Sequence, residues 1–344
     1  MPPMASLMIA LGISLSTLMV MSANHWLMAW LGLELNMISV LPMITKQKHP
    51  RSTEAATKYF LTQATASSIL LLSSTLNAWQ TGSWDITQLN NKLSCTLMIS
   101  ALTMKMGAAP THFWLPEVLQ GSTLTTALLM TTWQKIAPIT LMYTISNHIQ
   151  SNITLLIGTL SILVGGWGGI NQTQLRKMMA YSSIAHSGWT ITVISISPNI
   201  ALLNIIIYMT ISTPIFLLLT TTSTKTLQTM TTTWITSPTS ALLLTLLLLS
   251  TASLPPLTGF TPKLLMLDTL TTHKLAPLAM TLALLSLLSL TFYLRTAYLL
   301  TSMAPPITTQ STTTWRLKTH HHQFTTVLSP IALFNITITP ALMF

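Results

Sequence analysis

Apolar runs of about twenty residues follow one another along almost the whole chain, and they decide its class before any motif is read. A run of that length crosses the ~30 Å hydrocarbon core of a bilayer as a helix. Hydropathy and helix-breaking residues place about eleven such spans, near 4–22, 25–45, 56–79, 93–117, 122–147, 151–170, 174–196, 200–223, 239–272, 276–301 and 324–343. Two of them, 93–117 and 239–272, carry prolines that must interrupt the helix. Only 6% of the 344 residues are Asp, Glu, Lys or Arg, against about 25% in a soluble domain. The expectation is an all-α polytopic membrane protein, a single transmembrane domain over 1–344 with no soluble domain. The longest polar stretch, near 303–323, reads as a loop. The opening MPPMASLM lacks a charged n-region and a cleavage site, so the first apolar segment is expected to be kept as a helix. Abundant threonines fit buried helix faces, because the hydroxyl can bond a carbonyl one turn back.

The formal net charge of +10 invites a nucleic-acid reading, but the cations are scattered through apolar sequence and no basic groove can be assembled from them. Topology accounts for them better. With eleven spans, Lys46, Lys48, Arg51, Lys58, Arg176, Lys177, Lys225, Arg295, Arg316 and Lys318 lie on the side of the N-terminus, and only Lys92 and Lys274 on the other. That bias predicts an N-terminus facing the cytoplasm or the mitochondrial matrix. The one cysteine, Cys95, allows no internal disulfide and no iron–sulfur cage, and there is no CxxCH haem-attachment signature. No P-loop, dinucleotide fingerprint or nucleophile elbow appears.

Three lysines do not fit the surface pattern. Lys135 lies near the middle of 122–147, about 12 residues or roughly 18 Å from either end, too far for its stem to reach water. Lys105 opens KMGAAPTHFWLPEV, where Pro110 and Pro116 break the helix, and Lys263 closes LPPLTGFTPK, where Pro255, Pro256, Gly259 and Pro262 break another. The second break lies five spans after the first, an odd step, so the broken helices run in opposite directions, as in inverted-repeat transporters. Glu34 sits mid-span in WLGLELN and needs a cation partner or a proton. One reading is a Glu34–Lys105 ion pair that polarises proton uptake; the other is a structural polar contact. Burial favours the neutral form of a lysine, so Lys105, Lys135 and Lys263 suit a proton relay, unless one of them pairs with Glu117 or Asp268. Lys135 has no acid in its own span, and Lys263 is offset from Asp268 by about 140° around a helix. His112 and His186, the latter one turn after Ser182 and Ser183, either extend a relay or are satisfied core histidines. A bis-histidine haem finds only one pair of candidates. Glu54 and Lys58, at i,i+4, read as a structural pair. His320–His322 form a weak metal candidate, since consecutive side chains diverge.

WLGLELN around Glu34, KMGAAPTHFWLPEV from Lys105, WQKIAP around Lys135, RKMMAYSSIAHSGW with His186, and LPPLTGFTPK up to Lys263 together resemble the antiporter-like membrane subunits of respiratory complex I. The resemblance covers essentially the whole chain, and the ordered set is specific. The threonine-rich, acid-poor composition is similar to mitochondrially encoded members. The resemblance implies a core subunit of the proton-pumping membrane arm of the NADH:ubiquinone oxidoreductase in the mitochondrial inner membrane, with its N-terminus in the matrix and its C-terminus in the intermembrane space. It implies that Glu34 and Lys105 form the input pair, that Lys135 is the central relay and that Lys263 lies toward the exit. NADH, FMN, iron–sulfur clusters and ubiquinone would belong to other subunits, with no cofactor or metal bound by this chain. The partners implied are other membrane-arm subunits, including neighbouring antiporter-like subunits, together with accessory subunits and membrane lipid, and no nucleic acid. Bacterial members resemble this chain with three further N-terminal helices, about fourteen in all, which leaves a surface here for neighbours to cover. Two other classes stay open: a free-standing cation/proton antiporter, and a scaffold subunit whose buried charges are only structural.

Overall fold

The computed structural model describes residues 3–89, 91–302 and 323–334. Within these, the chain is helical, with two isolated bridges as its only β-type pairing. Ten of the eleven expected spans are found as a helix or a broken helix, and the described part of the eleventh is helical. The end of the last one, and Arg316, Lys318 and His320–His322, lie outside the described residues. Two compact units emerge, the first comprising 1–161 and 190–199, the second 162–189 and 200–344.

In the first unit, α1 (Pro3–Met21) packs on α2 (Trp26–Ile44), which packs on α3 (Pro50–Thr81). The α1–α2 approach is close because Gly32 meets the Ser16 carbonyl and Val20, where a side chain would not fit. The start of α3 is set by His49, whose Nδ1 accepts from the Arg51 amide at 3.1 Å, followed by Pro50 in the first turn. Proline is at home there, since that amide has no helical acceptor. Next come α4 (Lys92–Met106), α5 (Trp114–Gly121), α6 (Leu124–Thr131) and α7 (Ile136–Thr144). The first break falls at Gly107, a left-handed residue at φ +74° whose amide closes on the Met104 carbonyl at 3.1 Å. Trp114 folds back over it, its Nε1 donating to the same Met104 carbonyl at 3.2 Å.

A second break was not expected. The sequence reads 122–147 as one continuous span, but the helix stops at Thr131 and a 3₁₀ turn over Trp133–Lys135 intervenes before α7. The physical reason is Pro138. It has no amide to give to the Gln134 carbonyl four residues back, and its ring crowds that carbonyl.

α8 (Ser151–Ile170) and α9 (Leu175–Ile194) run through the boundary between the units. Inside the first unit Thr154 on α8 and Ser195, just past the end of α9, share a hydroxyl–hydroxyl bond at 3.0 Å. In the second unit Gly165 lies against the backbone of Ala185. The second unit continues with α10 (Pro198–Thr221), the short α11 (Leu227–Thr231) and α12 (Thr233–Thr236), then α13 (Pro238–Thr251), α14 (Phe260–Thr272), α15 (Ala276–Ser302) and α16 (Gln323–Phe334). The break between α13 and α14 lies where Pro255, Pro256 and Gly259 were expected to place it. Among the described residues five helices, α1, α2, α8, α10 and α15, are long and apolar enough on their own to cross a membrane. Among the other spans, the breaks and the hydroxyl-rich helices escape such a test. Thr103 and Thr296 show why hydroxyls are tolerated: each bonds a carbonyl three residues back, at 2.9 and 2.8 Å.

Candidate functional site

The residues singled out in the sequence divide between the units. Glu34, Lys105, His112 and Lys135 belong to the first, and His186 and Lys263 to the second. In the first unit Lys105 is 7% exposed and Lys135 4%. Both line one small cavity of about 20 Å³, together with Leu33, Asn36, Met37, Tyr59, Gln63 and Gln134. A single water centre needs roughly 10–15 Å³, so the space is of water size and its walls are polar enough to hold one.

Each lysine stands at a helix irregularity. Lys105 is in the last turn of α4, two residues before the Gly107 break, and Lys135 ends the 3₁₀ turn that Pro138 causes. Such breaks leave backbone polar groups unpaired at membrane depth, which is tolerated only where they are buried in protein or line a polar space. Burying an ammonium at the centre of a membrane costs about 2.5–3.5 kcal/mol on insertion scales, so a cavity with polar walls is where the chain can keep it.

Glu34 is half-buried on α2, one turn from the cavity-lining Met37, and close enough for its charge to act on Lys105 and on the Tyr59 hydroxyl. Among the described residues no direct ion pair joins Glu34 to Lys105. His112 is buried within the first break; its Nδ1 lies 3.2 Å from the Pro110 carbonyl and its ring packs on Phe113 at 4.1 Å. It does not line the cavity.

Glu117 finds a partner on α3. It pairs with Lys58 at 2.5 Å, and Lys58 also holds Glu54 at 2.6 Å. The expected i,i+4 pair is thus one arm of a carboxylate–ammonium–carboxylate bridge from α3 to α5. All three side chains are well exposed, and exposed pairs contribute little. Replacing Lys58 by Met is therefore expected to leave the level of assembled protein nearly unchanged at physiological salt, which quantitative native electrophoresis would check.

In the second unit Lys263 is 7% exposed, in the first turn of α14. Asp268 is exposed, and no ion pair between the two is found among the described residues. His186, on α9, stacks on Tyr208 with ring centroids 4.7 Å apart. The Tyr208 hydroxyl lies beside Ser182 and Ser183, and that of Tyr293 beside Ser182 and Thr251. The Tyr208 ring thus links the histidine to a group of buried hydroxyls.

Sequence reading missed the neutral members of both sites. Asn36, Gln63 and Gln134 in the first unit, and Tyr208 and Tyr293 in the second, carry no charge to stand out from a threonine- and serine-rich chain. One signal was present: Asn36 follows Glu34 by two residues, and Gln134 immediately precedes Lys135. Among the described residues no cluster of three or more His, Cys, Asp or Glu is placed to hold a metal.

Residues 23–289 match the family described as NADH:quinone oxidoreductase/Mrp antiporter, transmembrane. NADH-ubiquinone oxidoreductase chain 2 of Varanus timorensis is 50% identical over 340 residues, covering 99% of this chain and 98% of that protein. The protein of the same name from Xenopus laevis is 49% identical over 323 residues, covering 93% of each chain. Among solved structures, a chain of respiratory complex I from Thermus thermophilus with bound aureothin superposes with a TM-score of 0.85 at 24% identity, over 97% of this chain and 78% of that one. A chain of the Mrp complex from Dietzia sp. DQ12-45-1b gives a TM-score of 0.76 at 16% identity, over 83% of this chain and 59% of that one. At those identities the two superpositions speak for the fold alone.

Proposed function

Because the chain belongs to the NADH:quinone oxidoreductase/Mrp antiporter transmembrane family, we propose that it is a proton-translocating subunit in the membrane arm of an NADH:ubiquinone oxidoreductase. It is a multi-pass membrane protein, and on this reading it works in the mitochondrial inner membrane. The bias of cations toward the N-terminal side supports an N-terminus in the matrix and a C-terminus in the intermembrane space. NADH oxidation, flavin, iron–sulfur clusters and ubiquinone reduction reside in other subunits, and this chain binds none of those groups. Its partners are the other membrane subunits of that complex, with accessory subunits and lipid covering the apolar faces that α1 and α15 leave exposed, such as Met8, Leu15, Met280 and Leu284.

One observation carries the reading: two buried lysines, each at a helix break, line the same water-sized polar cavity. Negative charge on Glu34 attracts positive charge to Lys105, and withdrawal of that charge lets the proton leave. Two ammonium groups on one small cavity repel each other at low dielectric, so a proton arriving at one lysine favours departure from the other. Lys105 and Lys135 therefore act as consecutive stations, with Glu34 modulating the first. Lys263 is a further station in the second unit, and His186 with its neighbouring tyrosines and serines extends that unit's polar path. His112, outside the cavity, serves as a secondary group near the first break.

The competing reading is a cation/proton antiporter of the same fold that works without a redox partner. Gentle solubilisation and native electrophoresis separate the two. The chain is expected to migrate in a very large assembly that stains for NADH oxidation. Migration alone or as a small oligomer would favour the free antiporter and overturn the proposed partners.

A further inference from the structure

Three neutral amide side chains line the cavity beside Lys105 and Lys135, and the two-lysine relay makes no use of them. They are Asn36, Gln63 and Gln134. Two are bound to each other, Gln134 Nε2 donating to Asn36 Oδ1 at 3.1 Å. Gln63 is different. It is 5% exposed, and its Nε2 is shut off from solvent without a hydrogen-bond acceptor in the protein. A buried donor left unmade is costly, and native proteins rarely tolerate one without a purpose or a water. It lies one turn from Tyr59 on α3, so the two side chains share the cavity-facing side of that helix.

We propose that Gln63 is a positioning residue: its amide N–H donates to a water held in this cavity and orients that water to pass protons between Lys105 and Lys135. The inference rests on the relay reading above and adds to it the group that aims the carrier. The cavity has the volume for such a water, and Gln63, Lys105, Lys135 and Gln134 supply the two to four polar partners that a buried water requires. A water oxygen accepts two hydrogen bonds. With one from the Gln63 amide and one from the Lys105 ammonium, both O–H bonds are turned outward, one of them toward the neutral Lys135 amine. Transfer then breaks an N–H bond at Lys105 as an O–H bond forms on the water, and breaks the water's other O–H bond as an N–H bond forms at Lys135. One proton moves, Lys105 is left neutral, Lys135 becomes an ammonium, and the water is restored. Without the amide, one acceptor position of the water is unfilled and its O–H bonds lose their fixed direction.

The test uses the whole complex carrying Gln63→Met, which keeps length and volume and removes the donor, beside Gln63→His, which restores an N–H, and Lys135→Met. Protons moved per electron and their pH profile are measured in coupled vesicles, and the O–H stretch of a buried water by infrared difference spectroscopy of the purified complex. Gln63→Met is expected to assemble, to slow coupled proton delivery roughly five- to tenfold, the loss of one ordinary hydrogen bond, and to lose the water band. Gln63→His is expected to recover both. An unchanged rate and water band in Gln63→Met, with Lys135→Met strongly impaired, would overturn the inference while leaving the relay standing. Slow delivery with the water band intact and no recovery in Gln63→His would reduce Gln63 to a structural role and also overturn it. If Lys135→Met itself pumps normally, the relay reading fails first, a pattern distinct from either. If Gln63→Met does not assemble, Gln63→Asn, which withdraws the amide by one methylene, must lose the same band, and a retained band overturns the proposal.

Discussion

Replacing Lys135 by Met is expected to leave the protein assembled and to abolish most proton transfer through it. Lys135 is 4% exposed, so the substitution exchanges a buried ammonium for an uncharged chain of similar volume. Hydrophobic replacement of buried charge is often neutral or stabilising, because desolvation is relieved and no cavity is left. The 3₁₀ turn at this position follows from Pro138 and not from the lysine, so the local backbone is expected to survive the change. What the methionine cannot do is hold a proton. Positioned proton carriers contribute on the order of 10²–10⁴-fold to the steps they serve, and loss of the proposed station at Lys135 should fall in that range for protons routed past it. The measurement is proton-to-electron stoichiometry in vesicles containing the assembled variant complex, with NADH oxidation followed in parallel. A normal stoichiometry in fully assembled complex would remove Lys135 from the relay and favour the scaffold reading of the buried lysines.

Much of this arrangement is legible in the sequence because membranes penalise charge so heavily. Lys135 is conspicuous from its distance to either end of an apolar run, and Lys105 and Lys263 from their prolines. The span pattern follows from the same solvent constraint: ten spans appear as helices or broken helices, and the described part of the eleventh is helical. The break at Lys135 was not legible, for a definite reason. Hydropathy is continuous from 122 to 147, and Pro138 disturbs the helix not at its own position but at the carbonyl of Gln134, four residues back. A proline three residues after a buried lysine is a signal that can be looked for. The neutral amides were hidden for another reason. Asn36, Gln63 and Gln134 are far apart in sequence and meet only when α2, α3 and the 3₁₀ turn are packed together. Glu117 shows the converse limit. Its charge made it a candidate partner for a buried lysine, yet the fold carries it to Lys58 at an exposed end of α3.

The largest effect on folding is expected from a single methyl group at Gly259. This glycine has φ −66°, an ordinary helical value that any residue can adopt, so backbone freedom is not why it is there. Space is the reason. A β-carbon at that position would lie 1.9 Å from the Ser250 carbonyl oxygen and 3.0 Å from its carbon. Both atoms are backbone, at the end of α13, and cannot rotate away as a side chain would. Gly259→Ala must therefore push the start of α14 away from the end of α13 by about 1 Å, and overpacking of this kind costs about 1–3 kcal/mol or more. Lys263 stands one turn further along α14, so the shift also moves the proposed relay station of that unit. The contrasting position is Gly82, at φ +69° with nothing within 4 Å of its would-be β-carbon. There conformation matters and space does not, and Gly82→Asn, which tolerates the left-handed region, is expected to be nearly silent. The comparison is read on native gels as the amount of assembled complex, and in vesicles as protons moved per electron. Gly259→Ala should lower the first severalfold and, in whatever complex remains, reduce the second, while Gly82→Asn changes neither. Full assembly with unaltered stoichiometry in Gly259→Ala would mean that the α13–α14 break is not packed as tightly as Gly259 and Ser250 imply, and that the placement of Lys263 does not depend on it.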